Sequence, residues 1–169
     1  MNNQGRPLAY HITFGTYGTR LHGDERGTVD RDHHQFGEPF LEPDMVRQHE
    51  SEERLKFPPV VLNAVQCEFI QSLVPSICER GGWRYIVAAA APDHVHVCLS
   101  APDILGDKIE PWLKRWISEA LSSRWPLPKG ARWWAKNGSV KWVFDEAYFS
   151  NVKQYIASQR SSAATRGGS

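Results

Sequence analysis

Two adjacent apolar runs most strongly constrain how this chain can fold. Residues 83–91 form a nearly continuous apolar run, and residues 94–100 (His-Val-His-Val-Cys-Leu-Ser) alternate polar or small side chains with apolar ones. The continuous run is typical of a strand buried on both faces, whereas the period-2 alternation is typical of a strand with two unlike faces. Because Pro92 and Asp93 between the runs predict a turn, the two runs predict an antiparallel hairpin within a sheet.

Two more predicted strands flank this hairpin in the sequence. Residues 8–16 are rich in β-branched and aromatic residues, which favours a strand. Residues 132–144 contain Asn137-Gly138, a pair typical of tight turns, so we predict a turn there and a strand over residues 139–144.

Helical periodicity predicts the remaining elements. Apolar residues recur at helical spacing over residues 61–80, after Pro58-Pro59 and before a pair of glycines, and again over residues 109–121. Asp107 and Glu110 have the spacing of a capping box for the second helix, and Asp145 and Glu146 begin a last helix to about residue 160. The order β-α-β-β-α-β with right-handed crossovers predicts an α+β, ferredoxin-like (RRM-like) fold. Its antiparallel sheet would carry two helices on one face, and an additional C-terminal helix would follow the last strand.

The length and residue usage predict one globular domain. The 169 residues suffice for a core, and we place the domain at residues 1–160, with an irregular insertion and a short helix at 18–56 and a flexible tail at 161–169. No apolar run approaches the roughly 18 residues needed to span a bilayer, and we expect no signal peptide and a cytoplasmic protein. The three cysteines form no CxxC pair, so we expect them to fill the core.

Two histidines of the predicted hairpin are candidates for a metal site. His94 and His96 lie two residues apart on a strand, so both side chains project from one face. Such a pair can bind a metal, but histidines also occur in strands for packing and hydrogen bonding.

The last helix carries a second pair of candidate residues. Tyr155 and Gln159 are four residues apart and therefore lie on one helix face, where they could offer a phenol and an amide oxygen to one point. Alternatively, Tyr155 anchors an amphipathic helix together with Val152 and Ile156.

Together these segments resemble the single-tyrosine HUH transposases. The matching motifs are Asp93-His94-Val95-His96-Val97 and the tyrosine helix over residues 151–159, in the order found in that family. The resemblance extends to residues 138–146 and to residues 16–24, which look like the start block of the REP-associated branch, and covers about half of the chain. The insertion at 18–56 has no counterpart in the minimal core of the family.

The resemblance implies a metal-dependent endonuclease and strand transferase of single-stranded DNA. Tyr155 would form a 5′-phosphotyrosine intermediate, and His94, His96 and Gln159 would bind Mg²⁺ or Mn²⁺. Asp93 could orient a histidine or simply cap the turn. The expected partner is single-stranded DNA that contains hairpins. The family commonly forms homodimers, in some of which the tyrosine helix completes the partner's site, but a monomer with its site within one chain is equally compatible with the sequence. A prokaryotic nucleoid location and no contact with membranes are also expected.

The charge distribution fits such a partner. The net charge is only +1, but residues 108–169 hold 11 Lys and Arg against 4 Asp and Glu. Cations alternate with indoles in this segment, a composition suited to binding phosphates and stacking on bases. A charged surface can also be merely solvated. In addition, at least one of Trp133 and Trp134 must pack inward. The predicted DNA-binding residues are Arg124, Lys129, Arg132, Trp133, Trp134, Lys136, Lys141, Lys153 and Arg160.

A non-catalytic module that binds single-stranded nucleic acid is the alternative function. The same order of elements occurs in RNA-recognition domains, but no Gly-Phe-Gly-Phe-Val type of run is present in the strands. The remaining histidines receive no predicted role: His11, His22, His33, His34 and His49.

Overall fold

The computed structural model describes residues 5–19 and 55–166, with side chains up to residue 160. Most of the insertion predicted at 18–56, its short helix and four of the histidines lie outside the described residues. The elements, in chain order, are β1 (Ala9–Thr16), α1 (Ala64–Gly81), β2 (Arg84–Ala91), β3 (His94–Ser100), α2 (Gly106–Arg124), β4 (Trp134–Val143) and α3 (Glu146–Arg166).

The four strands form one antiparallel sheet in the order β2-β3-β1-β4. The hairpin of β2 and β3 pairs Ala91 with His94 across the turn, as the two apolar runs predict. The α+β class and the antiparallel sheet are therefore confirmed. The fold is not strictly ferredoxin-like. The additional helix, α3, follows β-α-β-β-α-β as the sequence predicts, and it packs on the sheet face opposite α1 and α2.

The larger core lies between the sheet and the first two helices. Inward-facing side chains of the central strands meet the apolar stripes of α1 and α2, as period-2 and period-3.6 patterns require. Fully buried members are Ile12, Phe14, Val95 and Val97 of the strands, Ile70 and Val74 of α1, and Leu113, Ile117 and Leu121 of α2.

A smaller cluster lies on the other face, beneath α3. Val152 and Ile156 of α3 pack against Ala9, Cys98 and Val143 of the sheet. All three cysteines of the chain are unpaired and buried, which confirms that they fill the core. Burial raises the pKa of Cys98 to about 11, so its thiol stays protonated at neutral pH.

The first helix begins later than the periodicity predicts. It starts at Ala64, where Asn63 and Gln66 form a reciprocal capping box, and it ends at Gly81. The next residue, Gly82, has a left-handed backbone and donates its N–H to carbonyls of the last turn. Residues 61–63 are not helical. The backbone N–H of Leu62 donates to the carbonyl of Pro92, and that of Val60 just before them donates to the carbonyl of Tyr17, so this segment is tied to other parts of the chain.

The capping box predicted at Asp107 and Glu110 is wrong. Helix α2 begins at Gly106 after an N-cap, Leu105, whose side chain makes no capping hydrogen bond. Glu110 instead forms an ion pair with Lys114 at 2.6 Å, and the Lys114 ammonium also donates to the carbonyl of Ala135. This pair links α2 to β4 and takes the carboxylate away from the helix terminus.

The turn predicted at Asn137-Gly138 is also wrong, since β4 runs without a turn from Trp134 to Val143. Gly138 lies opposite Phe14 of β1, and a Cβ atom there would come within 2.9 Å of the Thr13 carbonyl oxygen. The glycine therefore permits a close approach of two strands.

The last helix starts where the sequence predicts, with the Asp145 carboxylate accepting the Tyr148 N–H, but it continues to Arg166. It thus extends beyond residue 160, into the segment predicted to be a flexible tail. Within the described residues, no helix has a long enough apolar stretch to cross a bilayer.

Gly106→Ala tests how closely α2 approaches the sheet. An added Cβ would lie 2.6 Å from both the Tyr10 ring and the Val140 side chain. We expect a net loss of about 1–3 kcal/mol in the free energy of unfolding, because overpacking outweighs the gain of about 1 kcal/mol that alanine brings to a helix. Urea denaturation measures this change in the free energy of unfolding. Ser123→Ala, at an exposed position of the same helix, is the control, and a stabilised Gly106→Ala protein would contradict the packing.

Candidate functional site

Strand β3 places His94 and His96 on the sheet face that α3 covers. Their rings meet edge to face with 4.7 Å between centroids, as expected for alternate residues of one strand. Val95 and Val97 point to the opposite face and belong to the larger core. The packing of Val95 and Val97 in the core thus fixes the sheet face on which both histidine side chains lie.

The His94 ring is oriented by its neighbour in the turn. Its Nδ1 atom lies 2.6 Å from Oδ1 of Asp93. Because an ionised carboxylate only accepts hydrogen bonds, Nδ1 carries the proton and donates it. The lone pair of a neutral His94 ring is then on Nε2, the arrangement that carboxylate partners impose on metal-binding histidines. Of the two roles considered for Asp93, the orientation of a histidine is the one seen here.

The His96 ring is held by two residues of β1. Its Nδ1 atom lies 3.1 Å from Nε2 of His11 and 3.0 Å from Oγ1 of Thr13, and the latter two atoms are 3.3 Å apart. The contact follows from register, since Thr13 lies directly opposite His96 in the central strand pair. These three side chains form a compact polar cluster on the sheet face that α3 covers.

His11 is a site residue that the sequence did not reveal. It is only 8% exposed, and burial together with the nearby positive charge of Lys141 lowers its pKa to about 4. The available signal was the alternation in β1, which puts His11 and Thr13 on one face. Strand β1 lies next to β3, so this face adjoins the histidine pair, a contact between strands that the alternation within one strand does not show.

Helix α3 brings Tyr155 to the same cluster. The Tyr155 ring lies edge to face with the His96 ring at 5.4 Å between centroids, and 6.3 Å from the His11 ring. Val152 and Ile156 are buried and dock the helix, whereas Tyr155 is 49% exposed. The helix is therefore anchored by its aliphatic residues, and the phenol lies at the border between the histidine cluster and solvent.

The third predicted ligand, Gln159, lies one turn beyond Tyr155 on α3 and is half-buried. In the part of the chain that the structure describes, no group of three or more His, Cys, Asp or Glu residues could hold a metal ion. Among the described residues, the amide oxygen of Gln159 is the further donor that the sequence predicts for a metal on the histidine pair. The role of Gln159 as a metal ligand stays a prediction.

The predicted DNA-binding cations are all at the surface, but they are not in one place. Lys141 pairs with His11 across β1 and β4 and thus belongs to the face that carries the histidines. Lys153 and Arg160 are exposed on α3, where the Lys153 ammonium lies 4.2 Å from the centre of the Phe149 ring. The others are exposed on α2, β4 and the loop between them: Arg124, Lys129, Arg132 and Lys136.

The base-stacking role predicted for Trp133 and Trp134 is wrong. Both are only 5% exposed and belong to the larger core. The Trp133 indole N–H donates to the Ser122 hydroxyl, and that of Trp134 to the Lys114 carbonyl, so both polar groups are satisfied internally. Both indoles thus pack inward, where the sequence argument required only one to do so.

Comparison with known proteins gives little beyond these observations. No family model matches the chain, and no curated protein matches it. A solved structure described as a "putative transposase" from Deinococcus radiodurans R1 is similar with a TM-score of 0.49 and 18% sequence identity, over 95% of this chain and 96% of that chain. A likeness of this size assigns no activity, because one fold hosts many functions.

The lowered pKa of His11 predicts a pH-dependent stability. Between pH 6.5 and 4 the His11 side chain is protonated in the unfolded state but not in the folded state. Its contribution to the free energy of unfolding is therefore fully present above pH 6.5 and is lost as the pH decreases. In EDTA, we expect the free energy of unfolding to fall between pH 7 and pH 4 by up to about 3 kcal/mol more in the wild-type protein than in His11→Gln. The groups that face His11 are retained in both proteins, namely Lys141, His96 and Tyr155. Parallel urea-denaturation profiles of the two proteins would contradict the assignment.

Proposed function

We propose that this chain is a metal-dependent, single-tyrosine nuclease and strand transferase of single-stranded DNA, in line with its resemblance to HUH transposases. One observation carries the proposal. The ring of Tyr155 lies 5.4 Å from that of His96, which in turn lies beside His94, so the predicted nucleophile and the predicted ligand pair come together although they are far apart in the sequence.

The residues present suit a divalent cation with oxygen and nitrogen ligands. His94 and His96 would offer nitrogens and Gln159 an amide oxygen, a mixed set compatible with Mg²⁺ or Mn²⁺. When bound, such an ion neutralises charge on a phosphodiester and polarises it for attack. Asp93 supports this role by holding His94 with Nδ1–H directed away from the site.

Tyr155 would act as the nucleophile in a step that conserves the number of phosphate ester bonds. The phenol gives its proton to water, and the phenolate oxygen forms a bond to phosphorus. The bond from phosphorus to the 3′ oxygen breaks, and its electron pair stays on that oxygen, which takes a proton from water. The products are a 5′-phosphotyrosine and a free 3′-hydroxyl, and attack by a 3′-hydroxyl reverses the step without a nucleotide cofactor.

Positive side chains near the site would hold the strand that is cut. Lys141 shares the sheet face of the histidines, and Lys153 and Arg160 are exposed on the helix that carries Tyr155. These cations can neutralise phosphates on either side of the scissile bond. Because Tyr155 and the histidines of one chain already lie together, the geometry favours a site within one subunit, whether or not the protein forms the homodimer that the resemblance implies.

Tyr155→Phe tests the nucleophile. The purified protein is mixed with labelled single-stranded DNA from the flanks of its own gene, with Mn²⁺ or with EDTA, and denaturing gels report a covalent adduct. We expect the wild-type protein to form the adduct only with Mn²⁺ and Tyr155→Phe to form none. Binding of the same DNA should stay within about threefold, because only one hydroxyl is removed.

Tyr148→Phe is the matched control, since Tyr148 is on the same helix but packs in the smaller cluster. It should form the adduct as the wild-type protein does. An adduct that persists in Tyr155→Phe would remove Tyr155 from the nucleophilic role.

His94→Ala tests the metal ligands. We expect Mn²⁺-dependent adduct formation to fall more than about 100-fold, beyond the 10–100-fold typical of changes to the partners of a ligand. Asp93→Asn removes only the charge that orients His94, so its Mn²⁺-dependent adduct formation should fall less than that of His94→Ala. Initial rates across a Mn²⁺ titration measure both effects, with the exposed Ser150→Ala as the control. Undiminished cleavage in EDTA would contradict the metal-dependent mechanism.

The alternative, a non-catalytic module for single-stranded nucleic acid, makes a different prediction in the same assay. It requires DNA binding that survives EDTA and no adduct under any condition. The burial of Trp133 and Trp134 removes two of the aromatic side chains on which such a module would stack bases. This weakens the alternative relative to the catalytic proposal.

A further inference from the structure

We infer that His11 and Thr13 of β1 are positioning residues that fix the His96 ring with its proton on Nδ1, so that Nε2 is the nitrogen offered to a ligand. The inference deepens the proposed function and rests on it, because it gives His96 the same ligand nitrogen that Asp93 gives His94. It concerns residues to which the sequence assigned no role.

The geometry leaves little freedom to the His96 ring. Nδ1 lies within hydrogen-bonding distance of two atoms on the neighbouring strand, at 3.1 Å from Nε2 of His11 and 3.0 Å from Oγ1 of Thr13. His96 is 6% exposed and His11 8%, and both are carried by the two central strands of the sheet. A rotation of the His96 ring would break both contacts in a place where water cannot replace them.

The hydrogen-bonding capacities of the three side chains permit a consistent arrangement. The Thr13 hydroxyl can accept the Nδ1 proton of His96 and donate its own proton to Nε2 of His11, which lies 3.3 Å away. Alternatively, Nδ1–H of His96 donates directly to Nε2 of His11. In both of these arrangements Nδ1 of His96 is the donor and its lone pair lies on Nε2. Donation in the reverse direction, from Nε2–H of His11 to Nδ1, would place the His96 proton on Nε2, the nitrogen that a metal ligand must leave unprotonated.

The same tautomer then holds for both histidines of the pair, although the partners differ in chemistry. A carboxylate from the adjacent turn orients His94, whereas a hydroxyl and an imidazole from a different strand orient His96. Two imidazoles that offer the same nitrogen from alternate positions of one strand can converge on a single ion. A ring in the other tautomer would present an N–H instead and repel it.

The test compares paired substitutions that remove or retain the partner atoms. His11→Leu and Thr13→Val remove the polar atoms, whereas His11→Gln and Thr13→Ser retain an oxygen at a similar place. Mn²⁺ affinity is measured from the electron paramagnetic resonance signal of the free ion, without DNA. We expect His11→Leu and Thr13→Val to weaken Mn²⁺ binding about 10–100-fold. His11→Gln and Thr13→Ser should stay within about threefold of wild type.

A second readout needs no metal. Long-range ¹H–¹⁵N correlation spectra of the imidazole rings report which nitrogen is protonated. In the metal-free wild-type protein the His96 ring should be a single tautomer protonated on Nδ1, and in the double variant His11→Leu/Thr13→Val this preference should be lost. Thermal melting confirms that the variants compared are folded, and Thr13→Val provides the test if His11→Leu does not fold.

The outcomes separate this inference from the proposed function. A wild-type protein with His96 protonated on Nε2, or variants that bind Mn²⁺ as tightly as wild type, would overturn the inference even if the adduct forms. A wild-type protein that binds no Mn²⁺ and forms no adduct would instead overturn the proposed function. The spectra alone would then decide whether β1 fixes the His96 ring.

Discussion

The antiparallel pairing of β1 with β3 at the centre of the sheet is the constraint on which the other features depend. It places Ile12 and Phe14 beside Val95 and Val97 on one face, which α1 and α2 must cover. Because side chains alternate, the same register places His11 and Thr13 beside His96 on the other face. A shift by one residue would bury the polar set in the apolar core, so the register is strongly specified.

The second face is covered only in part, and this is what makes it a candidate site. Aliphatic contacts of Val152 and Ile156 dock α3 over small residues of the sheet, while Tyr155 stays half exposed over the histidines. The phenol is thus held by its helix yet reachable from solvent. Polar side chains pack against one another there with defined partners, which is the kind of preorganised setting that a reactive group requires.

Local patterns predicted much of this arrangement, and the failures have common causes. The hairpin of β2 and β3, the face of His94 and His96 and the start of α3 directly after Asp145 follow from periodicity and capping. Gly138 was misread because its role depends on the strand alongside it, and Trp133 and Trp134 because theirs depend on helix α2, information that no local pattern holds. His11 was missed for the same reason, since its partner is a residue of another strand.

The way in which α3 is attached bears on the energy of partial opening. Of the side chains described on this helix, only Val152 and Ile156 are buried, and they belong to the smaller cluster rather than the main core. Such an element lies at the low end of the hierarchy of local stability, so it can detach from the sheet at a cost well below that of global unfolding. Opening of α3 would therefore move Tyr155 away from the sheet while the histidine pair stays in place on the central strands.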